Sequence, residues 1–186
     1  MDAGERLAYI LMERGIRPHP AYGGASLIPV TCLSECTPAG LKALVLLSRY
    51  EPFGIGFTKD YVFAAGGGPA LYIRADEWES VSSLPDALKA RSIRLWPGAS
   101  ATGTEVLPES LKSRSDWRHE REWRLRGPLS FDWLSVAFLI FPTPKDRLDV
   151  LCYADHHTDY YAEMEAIPFL LVDPKSGAME THGIAL

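Results

Sequence analysis

The densest group of chemically reactive side chains is the run Asp116–Arg124, which reads Asp-Trp-Arg-His-Glu-Arg-Glu-Trp-Arg. In an extended strand, successive side chains point to opposite faces. One face of such a strand carries two carboxylates and two guanidinium groups, from Glu120, Glu122, Arg124 and Arg126. The opposite face carries Trp123 and Leu125, which we expect to anchor the strand in a hydrophobic core.

This row of charges suits a site that stabilises a developing cation while it holds an anion. Two carboxylates on alternate positions repel and raise the pKa of one of them, whereas neighbouring arginines lower that pKa again. The spacing alone is equally compatible with a solvated strand face that is covered by salt bridges. The sequence therefore leaves a catalytic and a purely structural interpretation open.

A second group of candidates lies in the run Tyr50–Tyr61. Gly54 and Gly56 let a ligand or a neighbouring strand approach the backbone closely. Three aromatic rings can stack on a flat ligand or pack in the core, namely Phe53, Phe57 and Tyr61. Lys59 stands at a predicted helix start and can meet a phosphate group. The turn 66–69 (Gly-Gly-Gly-Pro) is either a phosphate-binding nest or an ordinary turn.

The three cysteines give weaker hypotheses. Cys32 and Cys36, together with Cys152 and His156, provide four possible zinc ligands, but their spacing is loose and small buried thiols are a simpler interpretation. A cysteine nucleophile lacks a local sequence signature. We therefore expect no metal site.

The surrounding pattern predicts short elements of both types. Predicted strands, or pairs of strands, cover residues 27–33, 53–57, 70–74, 119–126, 136–141 and a terminal hairpin of 167–172 with 178–184. Predicted helices cover residues 7–11, 38–48, 59–65 and 86–94. The polar stretch 97–116 is long enough to be a functional loop. Because no regular βαβ rhythm is present, the expected fold class is α+β, with one domain over residues 1–186.

Composition restricts the class of protein. Hydrophobic residues make up 47% of the 186 and charged residues 23%, as in a globular protein with a core. No apolar stretch approaches the ~20 residues of a membrane helix, and residues 1–6 do not resemble a signal peptide. Few cysteines indicate a reducing compartment, so we expect a cytoplasmic protein without a membrane partner.

The charge is unevenly distributed. The formal net charge of −5 argues against extensive coating of nucleic acid. Residues 89–126, however, contain nine Lys or Arg against five Asp or Glu, whereas residues 146–186 contain two against eight. The positive segment includes the polar loop and the Glu-x-Glu strand, so it suits one local anion.

Four segments in this order resemble the AbiGi-like abortive-infection family, which is similar to the DarT-type branch of ADP-ribosyltransferase-like proteins. The segments are Val30–Glu35, Tyr50–Lys59, Gly67–Ile73 and Trp117–Arg124. The resemblance spans roughly residues 7–142. It implies a split β-sandwich with peripheral short helices around an NAD-binding cleft.

The resemblance also implies roles for the candidates. A strand glutamate contacts the nicotinamide ribose while the glycosidic bond breaks, and Glu122 is the first choice for it and Glu120 the second. Glu120 then orients the acceptor, which is a nucleic acid or a protein. An aromatic side chain stacks on the nicotinamide, from Phe53, Phe57 or Tyr61. The phosphates or a nucleic-acid acceptor are contacted by basic side chains, from Lys59, Arg118 and Arg121.

One departure from the family pattern separates the functional hypotheses. Related transferases carry an early His-or-Arg motif on their first strand, whereas this chain opens with a predicted helix. Either Arg17 or His19 seats NAD, or the protein is a catalytically inactive antitoxin, immunity or interaction module of the same fold. A third hypothesis is an NAD glycohydrolase. A cognate toxin or antitoxin partner is compatible with each, and the acidic segment after residue 146 is a plausible contact surface.

Overall fold

The computed structural model describes residues 1–20, 28–46, 50–95 and 121–184. Its α-helices are α1 (Ala3–Glu13), α2 (Pro38–Leu46), α3 (Lys59–Ala64), α4 (Asp86–Arg91), α5 (Pro144–Asp155) and α6 (Tyr161–Glu165). Two 3₁₀ segments cover Trp78–Ser83 and Trp133–Ser135. None of the helices in these ranges is both long and apolar enough to span a lipid bilayer.

The strands are short and numerous. They are β1 (Gly15–Ile16), β2 (His19–Pro20), β3 (Pro29–Ser34), β4 (Gly54–Phe57), β5 (Gly68–Pro69), β6 (Leu71–Arg74), β7 (Ser92–Leu95), β8 (Glu122–Arg126), β9 (Leu129–Ser130), β10 (Val136–Phe141), β11 (Phe169–Val172) and β12 (Met179–His182). Helices and small, mostly antiparallel sheets are mixed along the chain, so the fold class is α+β, as predicted. The predicted loop 97–116 lies outside the described residues.

Contacts divide the chain into two compact units. The first contains Met1–Ile16, Cys36–Ala65 and Leu129–Leu186, and the second contains Arg17–Glu35 and Gly66–Pro128. The prediction of one domain over residues 1–186 stays a prediction.

The first unit is built on a four-stranded sheet in the order β12-β11-β10-β4. Strand β10, which was predicted as a strand, is central and pairs in parallel with β11 and antiparallel with β4. Leu139 and Phe141 of β10 are buried with residues of α1 and α5 on one side, while Ile140 packs with the residues of α2 on the other. This alternation is the period-two pattern of a strand that is buried on both faces.

Local signals explain where the helices of the first unit begin. Asp2 caps α1 by a capping box, in which its carboxylate accepts a hydrogen bond from the Glu5 backbone N–H at 2.8 Å. Thr58 caps α3 and Thr143 caps α5, each through its side-chain oxygen. Hydroxyl and carboxylate caps satisfy backbone N–H groups that the first helical turn leaves without partners.

The second unit contains a four-stranded sheet in the order β2-β3-β8-β5 and a parallel pair, β6 with β7. The prediction of a helix over residues 86–94 is wrong at its end, because α4 stops at Arg91 and β7 begins at Ser92. Ile93 of β7 is buried and pairs with Tyr72 of β6, so strand pairing overrides the helical pattern there.

Candidate functional site

Strand β8 carries the candidate glutamate and lies between β3 and β5 in the second unit. Its register with β3 places Glu122 opposite Ser34 and Arg124 opposite Cys32. Side chains that are directly opposite in an antiparallel pair lie on the same face of the sheet. Glu122, Arg124 and Cys32 therefore share one face, which is the face that the sequence predicted for the two charged residues.

Glu122 and Arg124 form an ion pair that is almost removed from solvent. The Arg124 Nε donates to Glu122 Oε1 at 2.8 Å, and Nη2 donates to Oε2 at 3.4 Å. The side chains are 2% exposed for Arg124 and 13% exposed for Glu122. On its other side, Arg124 Nη1 donates to the Ser92 carbonyl oxygen at 3.2 Å. The carboxylate is thus held in one orientation by a guanidinium that is itself fixed by β7.

The thiol of Cys32 interacts electrostatically with both members of this pair. Its pKa rises from 9.0 to about 12, first because the protein around the sulfur disfavours the thiolate, although the residue as a whole is exposed, and then because the thiol lies beside the Glu122 carboxylate. Arg124 opposes this effect and lowers the pKa less. Since the thiolate is the nucleophilic form, a thiol with this pKa is unreactive at neutral pH. A nucleophilic role for Cys32 is therefore disfavoured. The interpretation of the three cysteines as small buried thiols is wrong, because Cys32, Cys36 and Cys152 are all exposed.

A second carboxylate, that of Glu35, binds two side chains at the start of β8. Glu35 accepts a hydrogen bond from Arg121 Nη2 at 2.6 Å and another from Trp123 Nε1 at 3.0 Å. Arg121 has a backbone φ of 48°, in the left-handed region, and its carbonyl accepts from the Glu35 N–H. Arg121, a predicted phosphate contact, is thus engaged with Glu35 although its side chain is 56% exposed. Glu35 was not among the predicted site residues, because 86 residues separate it from Arg121.

The predicted aromatic residues lie in the first unit and pack against its core. Phe57 and Tyr61 are stacked with centroids 5.7 Å apart, and Phe57 also contacts Phe131 at 5.3 Å. The Tyr61 hydroxyl donates to the Ser130 carbonyl oxygen at 2.6 Å. Core packing, the alternative to ligand stacking, therefore accounts for much of the surface of these rings.

Phe53 and Lys59 are the remaining candidates in the first unit. Phe53 packs at the edge of the same core and lines two cavities of about 390 Å³ each near the start of α1. Lys59 is exposed at the first position of α3.

The Gly-x-Gly motif of β4 has a packing role. Gly54 pairs with Ile140 and Gly56 with Phe138 of β10. A Cβ atom at Gly56 would lie 2.5 Å from the Phe138 ring, and one at Gly54 would lie 3.3 Å from Ile140. Of the two partners that the sequence allowed, a ligand or a strand, the neighbouring strand fills this space.

The predicted site residues are thus distributed over the chain. The second unit holds Glu122 and Arg121, as well as the possible NAD-seating residues Arg17 and His19, of which His19 pairs with Val30. The first unit holds the candidates Phe53, Phe57, Tyr61 and Lys59. Glu120 and Arg118 lie outside the described residues.

Two further findings concern metal ions and similarity to known proteins. The described residues contain no group of three or more His, Cys, Asp or Glu side chains that is arranged to hold a metal ion. Comparisons of the chain with protein-family models, curated proteins and solved structures gave no match.

Proposed function

We propose that the protein is an ADP-ribosyltransferase-like protein of the toxin or phage-defence type, which cleaves NAD and transfers ADP-ribose to a nucleic-acid or protein acceptor. The proposal rests on the resemblance of four sequence segments and on one structural observation. That observation is the Glu122 carboxylate, which is held nearly buried on a central strand by a fixed guanidinium. A cation that develops on a ribose is stabilised best by a carboxylate that is already oriented.

The proposed reaction breaks the bond between the ribose carbon and the nicotinamide nitrogen. Nicotinamide leaves with the bonding electron pair, and an oxocarbenium-like centre forms on the ribose. Glu122 contacts this ribose, and an oxygen or nitrogen of the acceptor attacks the carbon and loses its proton. Glu120 is proposed to orient the acceptor.

A specific observation favours a second candidate, a catalytically inactive antitoxin, immunity or interaction module. Both carboxylate oxygens of Glu122 already accept hydrogen bonds from Arg124. The ion pair neutralises the carboxylate and occupies one acceptor position on each oxygen, which leaves a ribose hydroxyl a weaker acceptor. In this candidate, the pair contributes only to the structure of the sheet.

Nicotinamide release separates the two candidates. The purified protein is incubated with NAD that is labelled in the adenosine part, alone and with single-stranded DNA, RNA or a protein extract. The transferase predicts nicotinamide release with transfer of label, and release that falls at least ~100-fold in the Glu122→Gln variant. The matched control is Glu163→Gln, which alters an exposed glutamate of α6 and should leave release unchanged.

The other outcomes are equally informative. A folded protein that releases no nicotinamide under any of these conditions refutes the transferase and supports the inactive module. Release that persists in the Glu122→Gln variant refutes the role of Glu122. Release without transfer of label to any acceptor identifies water as the acceptor, and hence an NAD glycohydrolase.

A further inference from the structure

We draw no further inference here: the strongest candidate, the acidic cavity of about 390 Å³ between the starts of α1 and α5, carries nothing because the carboxylates of Asp2, Glu5, Asp146 and Asp149 that line it already bond to groups at those two helix starts, and nothing in the described residues indicates what would bind there.

Discussion

The buried pair of Glu122 and Arg124 makes a quantitative prediction, because removing one partner should cost more than removing both. Taking one partner from a buried ion pair costs about 3–5 kcal/mol, whereas replacing both by apolar residues is often close to neutral. Arg124 is 2% and Glu122 13% exposed, so the pair belongs to this class. We expect Arg124→Leu or Glu122→Leu to lower the free energy of unfolding by about 3–5 kcal/mol each.

The double variant measures how strongly Glu122 and Arg124 stabilise each other, apart from their contacts with other residues. Loss of Arg124 leaves the Ser92 carbonyl without the hydrogen bond from Nη1, which costs about 1–3 kcal/mol in a buried site. Glu122→Leu/Arg124→Leu should therefore be destabilised by about this amount alone, well below the sum of the single variants. The difference is the coupling energy of the pair.

Urea unfolding, followed by tryptophan fluorescence and circular dichroism, measures these values. The exposed pair of Arg74 and Asp76, with side chains 68% and 64% exposed, is the control and should show no measurable coupling. If the double variant loses the sum of the two single losses, Glu122 and Arg124 act independently and the description of a buried pair is refuted.

Three further predictions concern other parts of the chain. Gly56→Ala forces a methyl group against the Phe138 ring and should lower the free energy of unfolding by about 1–3 kcal/mol. Adding Phe138→Ala should recover part of this loss, and urea unfolding measures both effects. At pH 8, iodoacetamide should alkylate Cys32 about a thousandfold more slowly than a thiol of pKa 9.0, because the pKa of Cys32 is about 12. Glu122→Gln should accelerate this reaction, since it removes the neighbouring carboxylate. Mass spectrometry of the peptide that contains Cys32 measures both rates. The raised pKa also favours the folded state fully below about pH 9, a contribution that is lost as the pH rises towards 12. Asp2→Ala should destabilise α1 by about 1 kcal/mol in thermal unfolding, whereas Asp2→Asn, which keeps an acceptor, should lose much less.

Local signals predicted most elements, but the same helix-start signal did not predict a helix in both places where it occurs. Thr37-Pro38 predicted a helix that the structure begins at Pro38. Thr143-Pro144 is the same signal and begins α5, yet this helix was not predicted. Five of its twelve residues are charged, and it buries only Val150, Leu151 and Ala154. Packing of these residues against α1, which the local sequence does not contain, stabilises the helix.

The sequence likewise predicted only part of the candidate site. The alternation along β8 was predictable, because a period of two follows from strand geometry alone. The partners of that strand were not predictable, because Glu35 contacts Trp123 across 88 residues and the Ser92 carbonyl contacts Arg124 across 32 residues. Sheet register brings these groups together, and register is a property of the folded sheet rather than of any short segment.

The two proposed functions differ in what they require of the pair of Glu122 and Arg124. In an inactive module, the pair stays closed and contributes only to the sheet. In a transferase, the Glu122 carboxylate must share its negative charge between Arg124 and the ribose cation that forms in the transition state. A variant that removes the Glu122 carboxylate therefore affects stability in both cases, but it affects nicotinamide release only in a transferase.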